Sequence, residues 1–173
     1  MPLGTVAIRT ADVEDIPAIR AIALATWPVA YGDILSPRQL AYMLDLMYST
    51  MTLRRQMDEG HRFLVAEDND RVLGFAGMEH HLRGGRHTRL HKLYVLPEAQ
   101  GTGSGRKLLS EVEKAARVAG DDVVELNVNK FNPALTFYLH HGYVQVRAEV
   151  IDIGEGFVMD DFVLERSVGR ARP

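Results

Sequence analysis

The segment with the clearest chemical potential is a glycine-rich loop at residues 100–106, Gln-Gly-Thr-Gly-Ser-Gly-Arg. Its three closely spaced glycines let the backbone approach a ligand, since no Cβ atom stands in the way. The loop follows a β-rich run at residues 93–95 and leads into an apolar pattern of helical spacing. The free N–H groups and the dipole of a helix N-terminus favour phosphate. Taken alone, the loop predicts either a phosphate or pyrophosphate site or a flexible turn that binds nothing.

Two common nucleotide motifs do not fit this loop. A Walker A loop requires Gly-x-x-x-x-Gly-Lys-Ser/Thr, whereas the glycines here are spaced as Gly101-x-Gly103-x-Gly105. A dinucleotide fingerprint requires Gly-x-Gly-x-x-Gly and normally lies in the first βα unit of its domain, while this loop lies past the middle of the chain.

The elements around the loop alternate between helix and strand. In the first half, Asp15 is a candidate N-cap for a helix that should end near Trp27, because the following Pro28 should not continue it. Ser36 caps a second helix, with Gln39 completing a capping box. A third helical piece, residues 51–59, ends at Gly60.

The second half contains the clearest helices, and the strands surround them. One helix runs from the glycine loop to Gly120, and another runs from an N-cap at Asn132 to Gly142. The alternating runs predict strands at residues 5–9, 63–66, 72–81, 90–95 and 123–128, followed by two more. This mixture indicates an α/β or α+β fold with one central sheet. We expect one domain over residues 1–168 and a disordered tail at residues 169–173.

Composition limits the class of protein. The chain has 173 residues, 46% hydrophobic and 25% charged, which is typical of a globular domain. A net charge of −3 without a basic run gives no basis for nucleic-acid binding. No apolar stretch approaches the roughly 20 residues of a membrane helix, and the N-terminus does not resemble a signal peptide. Because the chain has no cysteine, thiolate sites and disulfides are excluded. These features favour a cytoplasmic protein.

Several motifs, in their expected order over residues 8–166, resemble the GNAT superfamily of N-acetyltransferases. Gln100-x-x-Gly103-x-Gly105 is similar to its acetyl-CoA signature. The segment from Asn132 through Phe137-Tyr138 to Gly142-Tyr143 is similar to its closing motif, with the asparagine one residue closer to the alanine than usual. The resemblance implies a mixed, mostly antiparallel twisted sheet of about seven strands flanked by helices, with a splayed strand pair that holds acetyl-CoA.

The resemblance also implies which residues contact the donor. The backbone amides of the glycine loop would hold the pyrophosphate, Arg106 would add a positive charge, and Asn132 would hydrogen-bond the cofactor. The main chain of the preceding strand would pair with the pantetheine arm. The implied cofactor-binding residues are Leu93, Tyr94, Val95, Gln100, Gly101, Thr102, Gly103, Ser104, Gly105, Arg106 and Asn132.

Acetyl transfer to an amine requires proton transfers that specific residues can perform. By resemblance, Tyr138 would protonate the leaving thiolate. The base remains open between His91, Glu79 and solvent. Histidine has a suitable ordinary pKa, although many relatives carry glutamate at the position of His91. Despite seven histidines, we expect no metal site, since His80 and His81 should point to opposite faces of a strand.

The acceptor should enter between the first helices and the last strands. Trp27 and Tyr31 lie on the first side, and the acidic segment containing Asp160 lies on the other, where it could attract a cationic amine. A diffuse likeness to polyamine acetyltransferases favours a polyamine or another small primary amine. A protein amino terminus or lysine stays open, as do a non-catalytic acyl-CoA sensor and a domain that binds NAD or ATP. The family also implies a possible homodimer.

Overall fold

The computed structural model describes residues 5–169, which form a seven-stranded sheet flanked by five helices. The strands are β1 (Ala7–Thr10), β2 (Arg62–Asp68), β3 (Arg71–Glu79), β4 (His87–Val95), β5 (Val123–Asn129), β6 (Val144–Gly154) and β7 (Phe157–Ser167). The helices are α1 (Ile16–Tyr31), α2 (Pro37–Tyr48), α3 (Thr50–Asp58), α4 (Ser104–Ala119) and α5 (Ala134–His140). Of the expected tail, only Gly169 lies within the described residues.

The strand order is β1-β2-β3-β4-β5-β7-β6. In the described part of the chain, β4 and β5 are the only parallel neighbours, and the other pairs are antiparallel. A parallel pair requires a crossover, and α4 supplies it between β4 and β5. The predicted mixed, mostly antiparallel sheet is therefore confirmed.

Helix α1 corrects one expectation, because it continues through Pro28 to Tyr31. A proline inside a helix removes one N–H donor and disturbs the preceding turn. The last turn survives because Trp27 and Tyr31 are both buried and their rings pack 4.6 Å apart, between centroids. These aromatic contacts outweigh the local preference of proline to end a helix.

The predicted helix caps are present in altered form. Ser36 accepts a hydrogen bond from the backbone N–H of Gln39, as expected. The side chain of Gln39, however, donates to the carbonyl of Val158 on β7 rather than completing a capping box. Asp15 does not cap α1, because its carboxylate pairs with Arg9 at 2.8 Å. Gln39 and Asp15 thus tie their helices to the sheet, while Ser36 keeps its predicted role as a cap.

The sheet separates two hydrophobic cores. On one face, α4 and α5 cover a core that includes Leu108, Val112 and Tyr143. On the other face, α1, α2 and α3 cover a core that includes Trp27 and Phe75. A buried hydrogen bond from the Tyr143 hydroxyl to Glu113 and an ion pair between Arg166 and Glu113 tie α4 to the last strands. In β4, Leu93 and Val95 pack against the first core and Tyr94 packs against the second.

The outer strand β6 is largely exposed and presents Val144, Val146 and Val150 to solvent. The expected homodimer stays a prediction. Within residues 5–169, no helix combines the length and the apolar character needed to cross a membrane.

Candidate active site

Strands β4 and β5 separate along their length. They are paired from His87 opposite Val123 to Leu90 opposite Leu126, and the pairing stops there. On its other side, β4 remains paired with β3 as far as Val95 opposite Gly74. The backbone of Leu93, Tyr94 and Val95 therefore has one edge free to pair with an extended ligand.

The glycine loop lies where this free edge ends. Gly101 and Gly103 have φ angles of +83° and +85°, which side-chain-bearing residues rarely adopt. A Cβ atom on either glycine would meet nothing within 4 Å, so that side of the loop is open. Helix α4 begins at Ser104, and the N–H of Lys107 donates to the carbonyl of Gly103. The preceding amides of the first turn thus lack intrahelical acceptors and can bind an anion.

The other residues of the loop differ in position. Gln100, Thr102 and Arg106 are exposed, while Ser104 is buried and its hydroxyl lies 2.7 Å from that of Thr102. Gly105 lies inside the helix, where a Cβ would be 3.7 Å from Phe137 and Val95. The first turn can therefore present backbone amides, with the Arg106 guanidinium alongside.

A buried hydrogen-bond network joins α1, β4 and the segment before α5. Asn132 donates from Nδ2 to the Tyr31 hydroxyl at 3.1 Å, and that hydroxyl lies 2.9 Å from the Tyr94 hydroxyl. The side-chain oxygen Oδ1 of Asn132 accepts from the backbone N–H of Ala134 at 2.9 Å. Asn132 thus stabilises the start of α5, as its predicted cap role implies, although the helix itself begins at Ala134.

Tyr138 lies on α5 in the core beneath the splayed strands. Its side chain is 7% exposed, and its ring packs edge-on against Tyr143 at 5.8 Å, between centroids. Burial, with a smaller contribution from nearby Tyr31, raises the pKa of Tyr138 above its ordinary value. The phenol therefore keeps its proton at neutral pH and is suited to act as an acid rather than as a base.

His91 and Glu79 form a pair at the start of the splay. Nε2 of His91 lies 2.9 Å from Oε1 of Glu79, and the His61 ring stacks on the His91 ring at 5.0 Å, between centroids. A β-bulge places His91 here, since Gly77 pairs with Lys92 and Met78 with Leu90. Because a carboxylate only accepts, Nε2 of neutral His91 carries the hydrogen and Nδ1 is left as the acceptor.

The protein environment keeps both partners in the forms that this pair requires. Loss of solvent lowers the pKa of His91, Glu79 opposes that effect, and the charges of Arg89 and Lys92 add to it. The hydrogen bond from His91 lowers the pKa of Glu79. At neutral pH the imidazole is therefore neutral beside an ionised carboxylate, which is the form of a general base.

The histidines group differently from the sequence expectation. His80 and His81 do not point apart, because β3 ends at Glu79 and His81 has a φ of +54°. Nδ1 of His81 lies 2.7 Å from Asp121, and Nδ1 of His80 lies 3.8 Å from the same carboxylate. Among the residues that the structure describes, two groups hold ligand atoms within 4.8 Å of one another, as a metal ion would require: His61 with Glu79 and His91, and His87 with Glu125 and Glu165. We assign neither to a metal, since hydrogen bonds and ion pairs already account for both arrangements.

A cavity of about 220 Å³ opens beside His91 on the face covered by α1, α2 and α3. Trp27 and Tyr31 line it, as the sequence suggested for the acceptor site. Asp160 is not among its lining residues and forms an ion pair with Lys130 at 2.9 Å. The neighbouring Asp161 lines the cavity instead, and burial raises its pKa. Successive residues of β7 face opposite sides, so the acidic position on the cavity side is Asp161.

Sequence reasoning missed several polar side chains of this cavity. Arg89 and Lys92 line it from β4, and Asn127 and Asn129 line it from β5. The β5 pair carried a detectable signal, because two asparagines alternate with apolar residues in a strand that is otherwise hydrophobic. Lys92 gave no such signal, since its direction depends on the bulge at His91.

Comparison with known proteins places this geometry in a family. Residues 35–159 match the model of the acetyltransferase (GNAT) domain. The chain is 39% identical over 102 residues to the L-amino acid N-acyltransferase MnaT of Escherichia coli K12, covering 57% of this chain and 58% of that relative. It is 31% identical over 134 residues to the uncharacterized N-acetyltransferase Rv2669 of Mycobacterium tuberculosis H37Rv, covering 76% and 84%.

Solved structures agree with this assignment at the level of the fold. The crystal structure of the PaiA N-acetyltransferase from Thermoplasma acidophilum in complex with coenzyme A superposes with a TM-score of 0.78 at 23% identity. That match covers 95% of this chain and 99% of the other. From the splayed strands, the glycine loop at the start of α4 and these matches, it follows that the chain belongs to the GNAT family of N-acetyltransferases, whose cosubstrate is acetyl-CoA.

Proposed function

We propose that the protein transfers the acetyl group of acetyl-CoA to a primary amine of a small molecule. The observation that carries this proposal is the free edge of β4, which has the glycine loop at one end and the acceptor cavity on one face. A donor bound along the edge would have its phosphates at α4 and its thioester near the cavity. Membership of the family indicates acetyl transfer as the reaction, and the arrangement of the side chains indicates where the donor and the acceptor amine would bind.

The residues at the donor site fit the cofactor. Gly101 and Gly103 leave open space where a side chain would stand, and the first turn of α4 contains no acidic residue that would repel an anion from its free amides. These amides would bind the pyrophosphate, with Arg106 adjacent. Leu93, Tyr94 and Val95 would pair with the pantetheine arm through their backbone. When bound, acetyl-CoA supplies an activated acyl group.

Tyr138 is our candidate for the general acid. A thiolate that leaves in a buried site must be protonated, and the Tyr138 hydroxyl retains its proton because burial raises its pKa. The same burial disfavours the leaving thiolate as well as the phenolate, so the site provides a reason to protonate the thiolate and a donor that stays protonated until then. Tyr31 and Asn132 would hold the surrounding network in place.

His91 is our candidate for the general base, with Glu79 as its positioning partner. Nε2–H donates to Glu79, so Nδ1 is available to take a proton from the amine, directly or through water. The ionised Glu79 also stabilises the imidazolium that forms. This role replaces the glutamate that many relatives carry at the position of His91.

The acceptor side supports a small molecule. The cavity volume of about 220 Å³ suits a compact amine, and Trp27, Tyr31 and Met43 give it apolar walls. MnaT is named for amino acids, which are small primary amines, and the sequence likeness to polyamine acetyltransferases indicates another small amine. Both acceptor types fit the proposal.

The test is release of the CoA thiol from acetyl-CoA across a panel of amines that includes spermidine and several amino acids. We expect release with one class of amine and a loss of kcat by ~10² to 10⁴ in Tyr138→Phe. Tyr143→Phe is the matched control, since its ring packs against Tyr138 but its hydroxyl bonds to Glu113. Acetyl-CoA binding with no release from any amine would overturn the enzyme proposal and favour a sensor. Equal losses in both variants would remove Tyr138 as the acid.

A further inference from the structure

Lys92 is a buried lysine without an ionic partner. It is 7% exposed, and its Nζ donates to Oε1 of Gln56 at 2.9 Å. The aromatic rings of Tyr48 and Phe63 lie 5.4 and 5.9 Å from Nζ, measured to their centroids. Within residues 5–169, no carboxylate forms an ion pair with Lys92. An ammonium group has three donors, and the protein uses one of them in a hydrogen bond.

Such an arrangement is unfavourable for the folded protein by itself. A buried charge is normally paired, because removing it from water costs free energy that only an opposite charge or several hydrogen bonds restore. Burial accordingly lowers the pKa of Lys92 to about 8. The aromatic rings and one amide oxygen offset only part of this cost. The remaining donors need an acceptor that the described protein does not supply.

The missing acceptor has space in the site, because Lys92 lines the acceptor cavity. The other cation of the cavity, Arg89, lies opposite Glu125 in the β4–β5 register and 3.6 Å from its carboxylate. Asp161 is the acidic residue of the lining, and its carboxylate accepts a hydrogen bond from Nδ2 of Asn127 at 3.3 Å rather than pairing with Lys92. The charge that stays unmatched in the cavity is therefore the ammonium of Lys92.

We propose that Lys92 binds an anionic group, a carboxylate or a phosphonate, on the amine that is acetylated. This inference rests on the proposed function and narrows its substrate class to zwitterionic amines. The anion would take the free N–H donors of Nζ, and the amine would then lie in the same cavity as His91. A polyamine offers no anion to Lys92 and adds positive charge beside it.

The experiment uses matched acceptor pairs that differ in the anion. L-methionine and L-leucine are compared with their amides, and 2-aminoethylphosphonate with ethanolamine. Each pair is assayed for kcat/KM with the wild type, with Lys92→Met and with Lys114→Met as an exposed control on α4. The ratio of kcat/KM for the acid to that for its neutral partner cancels changes in folding or in acetyl-CoA binding.

We expect the wild type to prefer the anionic member of at least one pair and Lys92→Met to reduce that ratio by about 10- to 100-fold, as for loss of a hydrogen bond to a charged group. Lys114→Met should leave the ratio unchanged. The acceptor pair whose ratio falls in Lys92→Met identifies the anion as a carboxylate or a phosphonate. A wild type that prefers the neutral amines or spermidine, or a ratio unaffected by Lys92→Met, would overturn the inference and leave acetyl transfer intact.

A binding measurement separates the two proposals if turnover is absent. Titration calorimetry of each anionic probe into the protein–CoA complex should give binding that Lys92→Met weakens by a similar factor. Binding that depends on Lys92 without turnover would support the anion site and overturn the acetyl-transfer proposal. Neither turnover nor binding of any anionic probe would overturn both.

Discussion

At the scale of single residues, the neutral state of His91 has a testable kinetic consequence. Because its pKa lies below the ordinary value, His91 should stay an effective base through pH 6.5, where an unperturbed histidine would be half protonated. We expect His91→Gln to lower kcat by roughly 10²-fold at pH 7 and to approach the wild type at high pH, where the amine deprotonates without help.

The matching variant is Glu79→Gln, which keeps an oxygen that can accept from Nε2. It should lose less activity than His91→Gln, because the imidazole keeps its orientation but loses the stabilising negative charge. The measurement is kcat from pH 6 to 10 for the three proteins. A constant ratio of wild type to His91→Gln across that range would show that His91 is not the base.

Lys92 makes a second prediction, in the pH dependence of stability. Its pKa is about 8 in the folded protein and near 10.5 when exposed, so the unfolded state binds more protons between these values. The free energy of unfolding of the wild type should therefore rise from pH 8 to 10.5 relative to Lys92→Met. At pH 7, Lys92→Met should be more stable by up to about 3 kcal/mol.

Denaturant unfolding at several pH values checks this, with exposed Lys114→Met as the control. His61 and His91 also lie near Lys92, but they titrate at lower pH and do not contribute in this window. If the free energies of unfolding of the wild type and Lys92→Met change with pH in parallel, the pKa of Lys92 is not lowered in the folded protein and the prediction is wrong.

Residue types were easier to predict from sequence than the directions of side chains. The sequence predicts Asp160 on the acceptor side, but Asp161 lines the cavity, since a shift of one residue along a strand changes the face. The sequence of β4 does not predict the direction of Lys92, because the bulge at His91 interrupts the alternation along the strand. A local irregularity of this kind depends on the neighbouring strand, so one strand's sequence does not reveal it.

At the scale of elements, the loop before α4 contains glycines with different roles. Gly103 has a φ of +85°, and the space that a Cβ atom would occupy there is open. Gly105 is helical, and a Cβ atom there would make ordinary van der Waals contacts. Gly103→Ala should destabilise the protein by roughly 1–2 kcal/mol and weaken CoA binding, because alanine strains the left-handed backbone and occupies the open side.

Gly105→Ala is the natural control. It should keep CoA affinity and stabilise α4 by up to about 1 kcal/mol, because alanine is the better helix former. Calorimetric titration with CoA and thermal unfolding measure both effects. Equal losses of CoA affinity in the two variants would contradict the prediction that only Gly103 needs to be glycine for CoA binding.

Helix starts and stops were largely predictable, since glycine and serine act locally. Gly120 ends α4 in the left-handed conformation, and Ser36 caps α2. The end of α1 was not predictable from the sequence. Burial of Trp27 and Tyr31 against neighbouring elements outweighs the tendency of Pro28 to end the helix. Where a helix ends in such a case depends on tertiary contacts, which a local sequence pattern does not reveal.

At the scale of the whole molecule, binding of CoA should stabilise the fold. A ligand that binds only the native state adds about 2.7 kcal/mol at 100 times its Kd, which is roughly 5 to 10 °C in Tm for a chain of this size. We expect this shift with CoA or acetyl-CoA, and no comparable shift with NAD or ATP, in a thermal melt. A larger shift with either nucleotide would contradict the proposed donor site.

The global fold could be predicted because several motifs occur in a fixed order along the chain. The resemblance implied a mixed, mostly antiparallel sheet with a splayed strand pair, whereas the strand order and the point at which β4 and β5 separate are given only by the structure. The pairing of Glu79 with His91 is a further long-range result, since it requires β3 and β4 to be neighbours.

The separation of the two cores by the sheet suggests how this enzyme could diversify. The acceptor cavity is lined from α2 and α3 by side chains such as Gln39, Met43 and Gln56, while the glycine loop and α4 lie on the opposite core. Mutations at the former positions can therefore accumulate without disturbing donor binding. A new acceptor specificity is then accessible through a few substitutions in one half of the molecule, while the other half is inherited unchanged.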